Sequence, residues 1–348
     1  MMKKQYKVAI LAGVFCMVVG LLIAGGAFAS SCLGNEEGKG ISIDDFSNVN
    51  YVDVTAEPVG TYENVTVNTS AEDVRLYLTD GKTRVDAHID ENRILTADIS
   101  NDNLEIKITE NSKIRLSLIG YENSYINVYL NKADFKGSLT VKTSSGNIEI
   151  PKDFTFKGMT LGSSSGDIVS QCTANGIVTG VASSGKVEIS NADAIEIFVD
   201  TTSGNIRLEN CKSSKGVTIG SSSGDQIIRN LTAEAFSSES SSGDLKLADS
   251  NIKGLLERSV SSGESEFKDS VSDSLFVKST SGDVEFEKFD AHNINIETSS
   301  GEVEGTLLSG KIFDVDTTSG DVQTPHDEGT DKCTVNTTSG DVEIKIKD

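Results

Sequence analysis

The chain has 348 residues with three prolines, no tryptophan and a formal net charge of −22. Such an acidic chain is repelled by phosphate backbones, which argues against a nucleic-acid partner. Gly, Ser, Thr, Asp and β-branched residues are plentiful, and this mixture is typical of many short strands joined by tight turns rather than of a helical protein. The length allows two ordinary domains or one long repeat array.

An apolar segment at residues 8–30 follows three lysines and precedes an acidic stretch. It is long enough to cross a bilayer as one helix. The positive flank predicts that residues 1–7 form a cytoplasmic stub and that everything after the helix lies outside the cell, in a single-pass topology. Residues 31–48 are polar and predict a linker.

Two other interpretations of this segment remain open. The small residues at its end resemble a signal-peptide cleavage site, which would make the protein secreted. If cleavage came just before Cys32, that cysteine would carry a lipid anchor. All three interpretations place the body of the protein outside the cytoplasm.

A Ser-Gly dipeptide recurs eleven times at a spacing of 19 or 20 residues. Low-complexity sequence would repeat the composition without keeping this register, so the dipeptide marks a structural unit. The glycines of the repeat are Gly146, Gly166, Gly185, Gly204, Gly224, Gly243, Gly263, Gly282, Gly301, Gly320 and Gly340.

Apolar and polar residues alternate on both sides of each Ser-Gly. With the glycine as position zero, positions −7, −5, +2 and +4 are mostly apolar, as in Leu139, Val141, Ile148 and Ile150. Period-two alternation predicts two short strands per unit, each with one buried face. We expect equivalent strands to stack ~4.8 Å apart. The predicted fold is all-β: a single-stranded parallel β-helix, or β-solenoid, of 19–20-residue coils, right-handed by default.

Residues 49–140 alternate less regularly and predict N-terminal coils with a capping hairpin, because the first coil exposes a strand edge. Residues 141–348 predict the repeat coils. We expect each repeat glycine to supply a left-handed or otherwise Cβ-forbidden backbone at a sharp bend, and the serine before it to join a ladder of hydroxyls. At the far end, Lys345 and Lys347 protect the last strand edge, or that edge pairs with a partner, which would allow end-to-end self-association.

The recurrent Ser-Gly-Asp-Val-Glu-Ile motif, as at residues 339–344, and the strand Ile-Asn-Val-Tyr-Leu at residues 126–130 carry a family resemblance. The chain resembles the bacterial putative-adhesin domain family, membrane-anchored or secreted proteins with a domain of unknown function. The resemblance covers about residues 50–348 and implies a β-solenoid in the cell envelope. It implies no established enzyme activity and no catalytic residues. In the family the strand often ends in Leu-Pro, whereas here Asn131 follows the leucine.

The position after each repeat glycine is mostly acidic. Carboxylates stacked about 5 Å apart repel each other unless cations or water screen them. Their oxygen atoms suit Ca²⁺, but Asp and Asn after glycine also occur in solvated turns that bond to their own backbone. The candidate metal ligands in this acidic row are Asp225, Asp244, Glu264, Asp283, Glu302, Asp321 and Asp341.

Polar residues interrupt the apolar columns at Arg258, which stands at position −5, and at Gln226 and Ser265, which stand at +2. Either a local bulge or register slip explains them, or they form a binding notch. Two stacked coils separate Cys172 from Cys211, roughly 10 Å, which is too far for a disulfide. These cysteines and Cys333 therefore read as small fillers.

The three histidines lie far apart in the sequence, and it contains no nucleophile elbow, phosphate loop or zinc spacing. We therefore expect no catalytic residues, no cofactor-binding residues, and no cofactor other than the calcium considered above. The favoured hypothesis is a non-enzymatic surface or envelope protein, an adhesin or interaction scaffold that contacts an envelope protein or polymer. One alternative is an envelope-stress sensor or regulator that acts through a membrane partner. A more distant alternative is a polysaccharide-binding or polysaccharide-degrading β-helix.

Overall fold

A computed structural model of the protein describes residues 50–110, 124–133, 135 and 137–347. This part of the chain is all β, without a helix, and most strands pair in parallel from coil to coil. The prediction of a parallel β-solenoid is confirmed. The predicted transmembrane helix, residues 8–30, lies outside the described residues, and within them no helix is long and apolar enough to cross a membrane.

Each repeat coil has one strand before the Ser-Gly dipeptide and one after it, and we call the two resulting sheets the upstream sheet and the downstream sheet. The strands before the repeat are β1 (Tyr51–Ala56), β2 (Asn64–Asn68), β3 (Asp73–Thr79), β4 (Arg84–Asp90), β5 (Arg93–Ser100), β6 (Asn103–Glu110) and β7 (Tyr125–Asn131). The strands of the repeat are β8 (Leu139–Thr143), β9 (Ile148–Ile150), β10 (Thr155–Phe156), β11 (Met159–Ser163), β12 (Ile168–Ser170), β13 (Thr173–Ala174), β14 (Ile177–Ala182), β15 (Val187–Ser190), β16 (Asp193–Thr201), β17 (Ile206–Glu209), β18 (Lys212–Ser221), β19 (Gln226–Arg229), β20 (Thr232–Ala233), β21 (Phe236–Ser240), β22 (Leu245–Ala248), β23 (Asn251–Val260), β24 (Ser265–Lys268), β25 (Val271–Lys278), β26 (Val284–Glu297), β27 (Val303–Leu307), β28 (Ile312–Thr317), β29 (Val322–Gln323), β30 (Lys332–Thr337) and β31 (Val342–Ile346).

Like residues stack on like residues in both sheets. In the upstream sheet Met159 pairs with Leu139 on one side and with Val178 on the other. In the downstream sheet Ile168 pairs with Ile148 on one side and with Val187 on the other. The apolar columns at −7, −5, +2 and +4 point inward and form one continuous core. Their burial drives folding, since each fully buried Val, Leu or Ile side chain contributes ~1.5–3 kcal/mol.

The repeat glycines lie where consecutive coils approach each other most closely. A Cβ atom added to Gly243 would lie 2.0 Å from the carbonyl oxygen of Gly224, and one added to Gly263 would lie 2.1 Å from that of Gly243. None of the eleven repeat glycines has a positive φ. Of the two expected alternatives, the left-handed conformation is therefore wrong, whereas a position that excludes Cβ is present. Glycine is needed because the carbonyl group of the neighbouring coil occupies the space of a side chain.

Two columns of hydroxyl groups fasten most of the bends; the inner hydroxyl is absent at Ala182 and Val260. The residue at −3 faces inward, and its hydroxyl accepts the glycine N–H of its own coil, as in Ser240 Oγ and Gly243 (2.9 Å). The serine at −1 is exposed, and its hydroxyl reaches the neighbouring coil, as in Ser281 Oγ to the Ser261 carbonyl (3.3 Å). The inner column thus holds the bend within a coil, and the outer column joins it to the next.

Left-handed residues do occur, six positions after the glycine. They follow the downstream strand in five consecutive coils and lie within β26 in the sixth. Most are asparagine or aspartate, which adopt this conformation more readily than other side chains do. They are Asn191, Asn210, Asn230, Asp249, Asp269 and Lys288.

The N-terminal coils do not stack in chain order. Strand β2 lies between β6 and β8, and β3 lies between β7 and β9. Beyond them, β4 pairs antiparallel with both β7 and β1. Strand β5 pairs antiparallel with β6 through a turn in which Asn101 and Asp102 both have positive φ, as tight hairpin turns require. Antiparallel strands thus cover the first parallel edge.

The C-terminal coils are also out of order. Strand β30 lies between β26 and β28, and β31 lies between β27 and β29. The glycine column follows the same order, Gly301, Gly340 and then Gly320. The expectation that the strand with Lys345 forms the last edge, with Lys347 just after it, is therefore wrong. The outermost strands at this end are β28 and β29.

A buried lysine fastens this inserted coil. The Lys311 side chain has no exposed surface, and its Nζ donates to Asp290 Oδ1 (2.5 Å), Ser309 Oγ (2.8 Å) and Asp331 Oδ2 (3.5 Å). His292 Nδ1 lies 3.1 Å from Asp331 Oδ2. The hydrogen bond from His292, together with the charge of Lys311, lowers the pKa of Asp331 below its ordinary value.

We expect Gly243→Ala to lower the free energy of unfolding by about 1–3 kcal/mol, because the new methyl group overlaps a backbone carbonyl of the next coil. Gly158→Ala is the matched control, since its Cβ would lie 3.4 Å from the nearest atom, an ordinary contact. Urea unfolding followed by circular dichroism measures both. Equal stability of the two variants would contradict the steric explanation.

We expect Lys311→Met to destabilise the protein by about 1–3 kcal/mol at pH 7, because two carboxylates lose their shared buried cation. The folded-state pKa of Asp331 is lowered, so the stability gained from its charge is present at neutral pH and is lost as the pH falls through that pKa. The difference from the wild-type melting temperature should therefore narrow as the pH falls through the range in which Asp331 becomes protonated. Lys215→Met, which removes an exposed surface pair, is the control. A loss of stability in Lys311→Met that is independent of pH would contradict the role given to the Asp331 charge.

Candidate functional site

The acidic row runs along the exposed edge where each coil turns from the upstream to the downstream sheet. Its carboxylates accept backbone N–H groups of the neighbouring coil: Asp244 Oδ1 accepts from Glu264 (2.9 Å), and Asp283 Oδ1 accepts from Glu302 (2.8 Å). Asn205 replaces the carboxylate in one coil and accepts from Asp225 in the same way. The row is therefore part of the hydrogen bonding between coils, and charge makes such bonds stronger.

The predicted row residues follow the altered coil order at the C-terminal end, where Asp341 Oδ1 accepts the N–H of Asp321 (2.8 Å). Burial raises the pKa of Glu264, and the nearby charge of Lys246 opposes this shift. Across the part of the chain that the structure describes, no group of three or more His, Cys, Asp or Glu side chains is arranged to hold a metal ion. Calcium binding by the row stays a prediction.

A polar cluster lies inside the core near the middle of the repeat. The side chains of Arg258, Gln226, Ser238 and Ser265 are all fully buried. Arg258 Nη1 donates to Gln226 Oε1 (3.1 Å) and Ser238 Oγ (2.7 Å), and Nη2 donates to the Gly243 carbonyl (2.6 Å). Ser238 donates in turn to Gln226 Oε1. These neutral partners bind the two terminal nitrogens of the buried guanidinium group and offset part of its desolvation cost. Arg258 Nε and Ser265 Oγ are buried without a hydrogen-bond partner among the described residues.

Strand pairing is continuous at these positions. Gln226 pairs in register with Ile206 and Leu245, and Ser265 pairs with its equivalents in the same column. Arg258 also pairs in register with Ser238 and Val277. The predicted bulge is present in its strand, but between Ile252 and Leu255 and not at Arg258, Gln226 or Ser265. A binding notch formed by them is also wrong, because their side chains point inward without exposed surface. Burial lowers the pKa of Arg258 to about 10.

The cysteines of the repeat are free and buried, as predicted. Burial raises the pKa of the Cys172 and Cys211 thiols to about 11 and that of Cys333 to about 12. Only the thiolate is a strong nucleophile or metal ligand. These three residues are therefore core fillers at neutral pH.

The outer face of the downstream sheet at its N-terminal end carries two stacks of rings, and we call it the tyrosine face. Tyr51, His88 and Tyr125 stack with ring centroids 5.2 and 5.6 Å apart. Tyr77 and Tyr129 stack at 5.0 Å with an angle of 19° between their planes. The two stacks lie across the adjacent strands β1, β4, β7 and β3.

Charged groups hold these rings in place. The Arg84 guanidinium lies 4.2 Å from the centroid of the Tyr129 ring, a cation–π contact, and Arg84 Nε donates to Asp86 Oδ2 (2.9 Å). At the other stack, Asp53 Oδ1 lies 2.7 Å from His88 Nδ1. The tyrosine face therefore presents fixed aromatic rings beside exposed charges, a combination that is common at binding surfaces.

The tyrosine face was not among the sites predicted from the sequence. Alternation along the strands Asp73–Thr79 and Tyr125–Asn131 places Tyr77 and Tyr129 outward, and that signal was available. Their stacking requires the two strands to be neighbours, which depends on the inverted order of the first coils.

The Toastrack family, DUF4097, matches the chain over residues 62–266 and 232–348. The two matches together extend from the first coil to the end of the chain. The protein belongs to this family. The resemblance to putative-adhesin domains of unknown function is thereby confirmed. No curated protein matches the chain.

Three solved structures are similar to this Toastrack protein, and each match covers 86% of its chain. A putative adhesin from Bacteroides fragilis is 11% identical, is covered over 98% of its own length and gives a TM-score of 0.37. A putative lipid binding protein from Parabacteroides distasonis is 18% identical, with 98% covered and a TM-score of 0.36. A putative cell adhesion protein from Clostridium sporogenes is 12% identical, with 99% covered and a TM-score of 0.20.

We expect Arg258→Leu alone to destabilise the protein by about 1–3 kcal/mol, because it removes the guanidinium donor to the Gly243 carbonyl and one of the two donors to Gln226 Oε1. Combining Arg258→Leu with Gln226→Leu and Ser238→Ala should recover part of this loss, since apolar side chains replace the partners of the guanidinium group while the Gly243 carbonyl still lacks its donor. Urea unfolding of the single and triple variants measures this. A triple variant less stable than the single one would show that the cluster stabilises the fold.

Proposed function

We propose that this Toastrack protein is a non-enzymatic component of the bacterial cell envelope, which presents the side of its solenoid to another envelope protein or polymer. Residues 8–30 hold it in the membrane as a single-pass anchor, and the solenoid lies outside the cytoplasm. The observation that carries the proposal is the tyrosine face, where fixed aromatic rings and exposed charges stand on paired strands. Rigid aromatic side chains contribute contact area at a small cost in conformational entropy.

The chemistry of the repeat supports an interaction role over catalysis. The polar columns are engaged in bonds to the backbone, since the inner hydroxyls accept the glycine N–H of their own coil and the acidic row accepts N–H groups of the next coil. The three buried thiols are protonated at neutral pH because burial raises the pKa of each one. A catalytic site needs acids, bases or nucleophiles that reach a substrate, and these columns do not offer them.

The anchor proposal rests on the sequence. The apolar segment is preceded by lysines and followed by acidic residues, an arrangement that orients a single helix with its positive end in the cytoplasm. The formal net charge of −22 keeps the exposed solenoid soluble and favours contact with cations or basic surfaces. We propose no cofactor for the interaction itself.

The topology can be tested by labelling an engineered thiol in intact bacterial cells. Val59 is 95% exposed, so Val59→Cys in a Cys32→Ser background should react with a membrane-impermeant maleimide, whereas the background chain should not, because its repeat thiols are buried. After fractionation of the same cells, the full chain should be recovered in the membrane fraction. Labelling only after lysis would contradict the external location. Release of the Cys32→Ser chain into the medium would favour the secreted or lipid-anchored alternatives.

Contact with the envelope can be tested separately with the full-length chain in lipid nanodiscs. The immobilised nanodiscs should retain whole bacterial cells or isolated envelope polymers more strongly than nanodiscs without the protein. If the nanodiscs retain neither cells nor envelope polymers, the interaction role is contradicted. A deletion strain with altered envelope-stress responses and unchanged retention would favour the regulatory alternative.

A further inference from the structure

A groove of about 810 Å³ opens beside the tyrosine face, where the first coil meets the repeat. Its volume falls in the range of about 300–1,000 Å³ that is usual for small-molecule sites. The lining residues that matter here are Arg75, Tyr77, Lys132, Glu149, Pro151 and Asp153.

The Tyr77 ring has one covered face and one face toward this groove. Strand β3 pairs with β7 along its whole length, which places Tyr129 beside Tyr77. On the other side β3 pairs with β9 only at Val74 and Arg75, because β9 ends at Ile150 and Pro151 follows it. With no strand residue opposite it on that side, the Tyr77 ring lines the groove and is 38% exposed.

The ring is held in its orientation before any ligand arrives. Tyr129 stacks on its covered face at 5.0 Å, and Arg84 in turn covers the far face of Tyr129 at 4.2 Å. Asp86 fixes the Arg84 guanidinium. A ligand that stacks on Tyr77 therefore loses little free energy to ordering this side chain.

The rim of the groove offers both donors and acceptors. Arg75 lies 3.5 Å from Glu149, and Lys132 lies 3.2 Å from Asp80, in pairs whose side chains are about half exposed or more. Exposed ion pairs of this kind are weak. The charged groups of these pairs can therefore exchange their partner for a hydroxyl group of a ligand without a large loss of free energy.

A sugar ring matches these two features together. One face of a pyranose carries C–H groups that pack on the negative face of an aromatic ring, while its hydroxyls, which both donate and accept, meet a rim of mixed charge. A nucleic-acid base also stacks, but its phosphate backbone would be repelled by a chain of net charge −22. We propose that this groove binds a neutral oligosaccharide segment of an envelope polysaccharide, with Tyr77 as the stacking residue. This inference rests on the proposed function for the source of the polysaccharide.

The test uses the full-length chain in nanodiscs and two probes, a β-linked N-acetylglucosamine tetrasaccharide and cellotetraose. Titration calorimetry should detect binding of at least one probe by the wild-type chain. Tyr77→Ala should weaken that affinity about tenfold, as expected for the loss of one ring-stacking contact, and Tyr77→Phe should retain it. Val271→Ala is the control, because Val271 is as exposed as Tyr77 (39% against 38%) but lies on β25, outside the tyrosine face.

Tyrosine-labelled NMR spectra keep the test decisive if Tyr77→Ala fails to fold. The chain has seven tyrosines, and the Tyr77 signal is the one that disappears in Tyr77→Phe. Addition of the probe that binds should shift the NMR signal of Tyr77 and leave the NMR signal of Tyr125 unchanged. Binding of neither probe at millimolar concentration, or equal weakening by Tyr77→Ala and Val271→Ala, would overturn the inference. Thiol labelling in intact cells tests the external location independently, so the two proposals can fail separately.

Discussion

The close contact between the glycine of one coil and the carbonyl group of the next determines the rest of the structure. At Gly204 a Cβ atom would lie 1.9 Å from the Gly185 oxygen, so consecutive coils approach within a distance that only glycine permits. This approach brings the residue after the glycine into hydrogen-bonding range of its counterpart, and it keeps the apolar columns in register. A coil shifted by one residue would place a side chain against the carbonyl group, so the same contact excludes the wrong register.

Much of the fold was predictable because the period of the repeat is visible without any structure. Alternation at −7, −5, +2 and +4 indicates the buried faces, and a constant spacing indicates parallel stacking. The conformation of the glycine was not predictable, because sequence does not distinguish a left-handed backbone from a neighbour that leaves no room for Cβ. The left-handed position was instead signalled by asparagine at residues 191, 210 and 230.

The order of the coils at both ends could not be read from the repeat. Each unit carries the same apolar columns, so the coil with Gly340 fits beside Gly301 as well as the coil with Gly320 does. The inserted order is associated with specific polar contacts, such as those of Lys311 with Asp290 and Asp331. The tyrosine face was missed for the same reason, since its rings come from strands that are neighbours only because β2 and β3 lie inside the N-terminal coils.

The insertion of the last strand between two coils affects how the molecule responds to force. If the C-terminal strand were outermost, a pull on the chain end would peel it away one hydrogen bond at a time. Strand β31 instead pairs with β27 on one side and with β29 on the other. A pull along that strand must shear hydrogen bonds on both sides together, which requires a larger force than peeling. A tether attached at this end would therefore load the solenoid in its mechanically resistant direction.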